Sequence, residues 1–248
     1  MSIKHKLNGF LKRFNVQVHG LGYLQSLAKG DFRKDEFDYF KEMFGNKPLV
    51  IYDVGANRGL TIDRFLEFFP DSRIVAFEPY PPMVQEIKLK YKDNANVTID
   101  NSGISNIKGE LLFYVNKSVD TSSFLSSKLT GLNSDPQVKN MEQITVPVKT
   151  IEDSFKENNL EHIHILKLDI QGSELNALKG AEKLLIDKKI DIVYTEAYFI
   201  QQYVDQPLFP EIAMYLSSRG YLLQDIYNPI YGKGKLAWCD AVFVKQDL

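Results

Sequence analysis

Two clusters in this sequence have residue types and spacing suited to chemistry. The first is Asp53-Val54-Gly55-Ala56-Asn57-Arg58-Gly59. Glycine has no Cβ, so Gly55 and Gly59 let backbone approach a ligand closely. A helix opening behind them would offer free N–H groups to a carboxylate or phosphate. A dinucleotide site normally shows Gly-x-Gly-x-x-Gly at such a junction, whereas the spacing here is Gly55-x-x-x-Gly59. The Gly-Lys-[Ser/Thr] ending of a phosphate loop is also missing. Asp53, two residues before the first glycine, repels a pyrophosphate but suits an ammonium or sulfonium. Glu78 stands about 20 residues further on, at the end of the next predicted strand, where a carboxylate can accept both hydroxyls of a ribose. S-adenosylmethionine carries a ribose, an ammonium, a sulfonium and a carboxylate, so the pattern favours it over a dinucleotide.

The second cluster is Lys167-Leu168-Asp169-Ile170-Gln171-Gly172-Ser173-Glu174. In an open α/β sheet, ligands bind beyond the carboxyl ends of the strands. Asp53, Glu78, Asp100, Asp169 and Glu196 all fall at such ends. Lys167 points to the same side of its strand as Asp169. It is expected to neutralise part of that acidic group, because a buried unpaired ammonium is costly. Asp169 and Ser173 also suit helix capping, a second reading of the same residues.

A hydroxyl acceptor needs a base or a metal to take its proton. His162 and His164 start their strand, which puts His164 roughly 16 Å from Asp169 at ~3.3 Å per residue. His5 and His19 lie in the N-terminal extension. That leaves carboxylates, with Asp169 as base or orienting group and Glu196 and Asp240 as partners on the acceptor side. Two or three of these acids would also suit Mg²⁺, which prefers oxygen ligands, though nothing in the sequence calls for a metal. Tyr198, Phe199, Tyr227, Tyr231 and Trp238 are candidates to stack on a sugar ring, with core packing as the plainer reading.

Short apolar runs alternating with helical patterns position these residues. Strands are expected at 49–54, 73–78, 96–100, 163–168, 191–195, 221–226 and 241–244. Helices are expected at 60–69, 82–92, 150–159, 173–186 and 207–219, the last ending at Gly220 in a left-handed cap. This alternation implies a parallel sheet covered on both faces. Two further strands, 109–115 and 144–148, flank a polar segment from Asn116 to Glu142. A loop that long inside a domain suits a lid or binding loop as well as a surface excursion.

Residues 1–47 read as a helical extension, with Leu7, Phe10, Leu11 and Phe14 on one helix and Phe32, Phe37, Phe40 and Phe44 on a second. The expected organisation is therefore an extension over 1–47 and a main domain over 48–248. The extension suits a cap, a lid, a membrane-surface helix or a homodimer contact.

A formal charge of −2 gives no basic excess to favour nucleic acid as partner. The single cysteine, Cys239, excludes an internal disulfide and paired-cysteine zinc sites. No stretch has the ~20 apolar residues of a membrane span, and no secretory core of about 7–15 apolar residues is found. The cytoplasm is the expected compartment.

Taken together, Asp53 to Gly59, Phe77-Glu78-Pro79 and Leu166 to Glu174 resemble the FkbM-type methyltransferases, with the motifs in that family's order over roughly residues 48–245. The resemblance implies a class I methyltransferase sheet, ordered 3-2-1-4-5-7-6 with strand 7 antiparallel. It also implies methylation of an oxygen, often on sugars, glycans or secondary metabolites. Carried over, Asp53, Gly55, Asn57 and Gly59 would form the methionine-side loop, and Glu78 would hold the ribose. Asp100, Asn101 and Ser102 would border the adenine, and Asp169 would lie nearest the methyl group. The expected function is S-adenosylmethionine-dependent O-methylation of a small-molecule or glycan acceptor. Three alternatives are a nicotinamide-dependent oxidoreductase, a non-catalytic module on the same fold, and methylation of nitrogen or protein. Against the first stands the missing Gly-x-Gly. The third lacks an Asn-Pro-Pro-Tyr-like motif after the fourth strand.

Overall fold

Apolar runs without alternation are read as strands buried on both faces, and the computed structural model builds its sheet from them. It describes residues 35–128 and 136–246. In chain order the main-sheet strands are β1 (Val50–Val54), β2 (Arg73–Phe77), β3 (Val97–Asp100), β7 (Ile163–Leu168), β8 (Ile190–Tyr198), β9 (Tyr221–Gly232) and β10 (Lys235–Lys245). Their spatial order is β3-β2-β1-β7-β8-β10-β9. The first five run parallel, and β10 pairs antiparallel with both β8 and β9. Numbered within this sheet alone, the order is the 3-2-1-4-5-7-6 that the resemblance implied. Ile51, Ile74, Ile165 and Ile192 have no exposed surface, as expected for central parallel strands.

The connections are α2 (Leu60–Phe68), α3 (Pro81–Lys90), α4 (Ile151–Glu157), α5 (Glu174–Lys179), α6 (Glu182–Ile186) and α7 (Phe209–Ser217). Thr150 caps α4 by accepting the Asp153 N–H at 3.0 Å. The helix expected over 173–186 is broken in two. A Cβ on Gly180 would stand 2.2 Å from the Ser105 carbonyl oxygen, so the chain narrows there to let another loop pass. Gly220 follows α7 with φ +72, the left-handed stop that was expected.

The hairpin β9–β10 is much longer than the two short strands read from sequence. Its turn is Lys233-Gly234, both at positive φ, the pair a two-residue primed turn demands. Outer β9 residues such as Leu222 and Tyr231 are exposed, so burial does not mark this strand's length in the sequence. One consequence is that Asp240 sits in mid-strand rather than beginning the strand.

A second sheet joins β4 (Gly103–Ile104), β6 (Asn140–Lys149) and β5 (Gly109–Asn116), in the order β4-β6-β5. The polar segment after β5 therefore ends at Asn140. Within it, residues 119–121 and 136–138 form short 3₁₀ turns.

In the N-terminal region, α1 spans Glu36–Phe44. Asp35 starts it, its Oδ1 accepting the Phe37 and Asp38 N–H groups at 3.0 and 3.1 Å. Phe37 and Phe40 meet edge to face with centroids 5.6 Å apart. The helix expected around Leu7 to Phe14, and His5 and His19, lie outside the described residues. Among the described residues, no helix is long and apolar enough to cross a membrane.

Candidate active site

Parallel strands leave their carboxyl ends at one rim, and a cavity partly open to solvent lies there. Gly55, Asn57 and Glu78 line one side, and Asp169, Ile170 and Gln171 the other. Phe77, Met83, Ile104 and Phe113 supply an apolar end, and Asp120, Ser122 and Phe124 close it from the segment after β5.

The glycine loop is built differently from the expectation. A Cβ on Gly55, at φ +85, would lie 1.9 Å from the Asp169 carbonyl oxygen. A Cβ on Gly59 would stand 2.7 Å from the Tyr91 hydroxyl oxygen. Both glycines thus admit protein, and Gly55 also lines the cavity. The N–H groups expected to receive a ligand carboxylate are largely used within the fold. Gly55 and Ala56 both donate to the Phe77 carbonyl at 3.0 Å. The Asn57 N–H donates to Glu78 Oε2 at 2.9 Å.

Glu78 is nearly buried, and its Oε1 also accepts the Tyr80 N–H at 2.8 Å. Burial pushes its carboxyl up to about 7, despite those two N–H donors. The Asn57 side chain donates to Asp120 Oδ1 at 2.9 Å, while its own Oδ1 is buried without a partner. An unpartnered acceptor on a residue that lines the cavity is a place where a ligand donor would relieve a penalty.

Asp53 is fully buried and does not line the cavity. Its carboxylate lies 2.9 Å from Lys167 Nζ, so its charge faces lysine rather than ligand. Burial pushes Asp53 up, and Lys167 opposes that. For Lys167, burial pulls downward, but Asp53 and Asp169 outweigh it and the ammonium is held above its usual value. Lys167 also donates to the Gly55 carbonyl at 3.0 Å and stands 3.9 Å from Asp169 Oδ2. The neutralising lysine expected from the sequence is therefore present, with Asp53 as its main partner.

Asp100, Asn101 and Ser102 do not line the cavity. Asp100 pairs with Lys149 at 3.0 Å and accepts the Ser102 hydroxyl at 2.7 Å, and Asn101 faces solvent. The wall at this point is Gly103 and Ile104.

At the end of β7, Asp169 is half-exposed. Its Oδ1 accepts from Gln171 Nε2 at 2.9 Å, and the same nitrogen donates to Glu196 Oε2 at 2.9 Å. Gln171 Oε1 faces two phenols, Tyr198 at 3.0 Å and Tyr203 at 2.9 Å. Gln171 was not singled out from the sequence. Its signal in the sequence was its place between Asp169 and Gly172, and the structure holds it at a non-glycine positive φ of 54. Buried Glu174 fixes this turn by accepting the Ile170 and Gly172 N–H groups at 3.0 and 3.1 Å. Burial pushes Glu174 up to about 7. Burial, followed by the charge of Asp169, holds Glu196 well above the usual carboxylate range.

Asp240 pairs in register with Glu196 across β10 and β8, and its Oδ2 accepts from Asn228 at 2.8 Å. Neither Asp240 nor Glu196 lines the cavity itself. Among the described residues, no group of three His, Cys, Asp or Glu side chains is arranged to hold a metal ion. Phe199 stacks on Phe209 at 4.9 Å beside the core, so it is not free to stack on a sugar. Tyr231 is exposed on the outer hairpin, whereas Trp238 lies 6.0 Å from Tyr198 near the site. His162 Nε2 is 2.8 Å from Asp191, and His164 Nδ1 accepts the Val50 N–H at 2.9 Å. Both histidines thus belong to the opposite rim, as their strand position predicted.

A 2-O-methyltransferase, NoeI, from Sinorhizobium fredii is 26% identical over 166 residues, covering 64% of this chain and 65% of that protein. The methyltransferase sdnD of Sordaria araneosa is 26% identical over 161 residues, covering 56% and 62%. The chain thus spans less than two thirds of these relatives' lengths. A solved structure of a putative rRNA-methylase from Clostridium thermocellum superposes with a TM-score of 0.50 at 10% identity, covering 93% of this chain and 98% of that one. That likeness concerns the fold, which is the class I methyltransferase fold. Residues 53–223, from the acid before the glycine loop into β9, match the Methyltransferase FkbM domain, and the chain belongs to that family.

Proposed function

We propose that this protein transfers a methyl group from S-adenosylmethionine to a hydroxyl oxygen of a small or glycan-like acceptor. The observation that carries the reading is the cavity bounded by Asn57 and Glu78 on one side and Asp169 on the other. Its residues fit the cofactor. Glu78 offers two acceptor oxygens to a ribose, the unpartnered Asn57 Oδ1 suits an N–H or O–H donor, and Phe77, Met83 and Ile104 suit an adenine. When bound, the cofactor supplies a methyl group activated by a positively charged sulfur.

The chain's own residues supply position and a proton acceptor. Holding acceptor and donor in line contributes much of the rate. Asp169, its Oδ1 steadied by Gln171, takes the proton of the acceptor hydroxyl. Glu196, held well above the usual carboxylate range by burial, accepts from the same Gln171 amide and steadies it, with Asp240 opposite in register. Tyr198 is buried with its hydroxyl at Gln171 and Glu196, which leaves the half-buried Trp238 beside it as the aromatic candidate for a sugar ring. The 2-O-methyltransferase name of the Sinorhizobium relative supports oxygen as the target atom.

Calorimetry with S-adenosylhomocysteine tests the cofactor reading, and the expected result is one site per chain. Absence of binding overturns it. A panel of methyl glycosides, followed by release of S-adenosylhomocysteine, tests the acceptor class. Turnover with amines but not with glycosides would replace oxygen by nitrogen.

A further inference from the structure

One wall of the cavity comes from residues 117–128, which cross from β5 to the loop after β8. Asp120, Ser122 and Phe124 of this segment face the cavity. Its first half stays with the smaller sheet, where Ser123 and Tyr114 exchange backbone hydrogen bonds at 2.8 and 3.1 Å. Its second half pairs with the loop after β8. Ser127 bridges Tyr203, the Lys128 N–H donates to the Gln202 carbonyl at 2.8 Å, and the Val204 N–H donates to the Ser126 carbonyl at 2.9 Å. Phe124 packs edge-on to Phe113 at 5.2 Å, and a Cβ on Gly103 would come within 2.3 Å of its ring. The segment is seated by shape as well as by hydrogen bonds.

Two side chains tie this strap to the Asp169 turn. The Ser123 hydroxyl donates to the Gln171 carbonyl at 2.7 Å. The Tyr203 hydroxyl stands 2.7 Å from the Thr121 carbonyl and 2.9 Å from Gln171 Oε1. Tyr203 is fully buried and lies outside the cavity lining. It therefore touches the strap and the amide that holds Asp169 without touching the cavity. The phenol shares its one proton between these two acceptors, and release of the strap would remove one of them together with the Ser123 hydrogen bond, so strap and turn are held more firmly together than apart.

We infer that Tyr203, with Ser123, is a positioning residue that fastens the 117–128 strap to Gln171, completing the cofactor cavity and retaining its occupant. The inference rests on the cofactor reading above for its ligand, but the fastening itself is a property of the ligand-free chain. Retention by such a fastener acts on dissociation more than on encounter.

The test uses the full chain and Tyr203→Phe, which keeps the ring, beside Ser123→Ala. S-adenosylhomocysteine is the probe. The expected result is a dissociation rate raised about tenfold in Tyr203→Phe, with association changed less, as loss of one buried hydrogen bond implies. A second readout needs no ligand. Trypsin cleavage after Lys117 and Lys128, which flank the strap, should speed up about tenfold in both variants, while cleavage elsewhere stays at the wild-type rate. Dissociation and cleavage rates unchanged in both variants would overturn the fastening. Failure of the wild type to bind the probe would overturn the cofactor reading instead, and the cleavage arm would still decide the strap. Should Tyr203→Phe fold poorly, as judged by its melting temperature, Ser123→Ala carries the same two readouts.

Discussion

Gln171 Nε2 lies 2.9 Å from an oxygen of Asp169 and 2.9 Å from an oxygen of Glu196. Two phenols at its Oε1 fix which way the amide faces. One neutral side chain thus spaces two acids that would otherwise contest a proton. Replacing it by an isosteric acid, Gln171→Glu, removes both donors and adds a third carboxyl. Stability should fall by about 1–3 kcal/mol, read as a lower urea midpoint. An unchanged midpoint would show that the amide has no such role.

Asp169→Asn preserves shape and removes the proton acceptor. S-adenosylhomocysteine affinity should stay within about threefold, while methyl transfer falls roughly 10²–10⁴-fold. Calorimetry and product release on the same preparation separate the two effects. Full turnover in this variant would take Asp169 out of the reaction.

Glu78 gives a pH dependence with a definite sign. Burial raises its carboxyl from 4.5 to about 7 in the folded chain. Ribose hydroxyls donate to the ionised form, so cofactor affinity should weaken as pH falls through about 7, by up to about tenfold per unit. Glu78→Gln should bind weakly and lose this dependence. The sign for folding is the opposite: a raised carboxyl stabilises below its unfolded value near 4.5, and that contribution is lost as pH rises through about 7. Glu174, also raised to about 7, adds to the folding effect. Because it is not part of the cavity lining, titrating ligand affinity isolates Glu78.

Lys167 and Asp53 form a buried pair at 2.9 Å. Lys167→Met leaves Asp53 with no ammonium beside it in the sheet interior. Breaking such a pair by removing one partner lowers stability by about 3–5 kcal/mol. The double change Lys167→Met with Asp53→Leu should recover part of that loss in urea denaturation, since an apolar pair of similar volume is tolerated. No recovery would show that the pair also shapes the glycine loop.

How much of this was legible beforehand varies along the chain. Strands such as Leu49–Val54 and Ile163–Leu168 were readable because burial on both faces leaves an uninterrupted apolar run. The outer part of β9–β10 was not, since exposed residues there carry no burial pattern and only the Lys233-Gly234 turn marks the hairpin. The split at Gly180 was hidden because its cause is a carbonyl contributed by Ser105, far away in sequence.

By itself the sequence determined the succession of strands and helices along the chain, the acids at the strands' carboxyl ends, and the family its motifs resemble. These depend on local pattern and on spacing along the chain. Only the tertiary structure decided which acids act together. Asp53 turns inward to Lys167, Glu78 faces the cavity, and Asp169 shares an amide with Glu196. Those pairings depend on which strands lie side by side and how deeply each carboxyl is buried. Distance and desolvation set a carboxyl's charge, and neither is written in the order of residues.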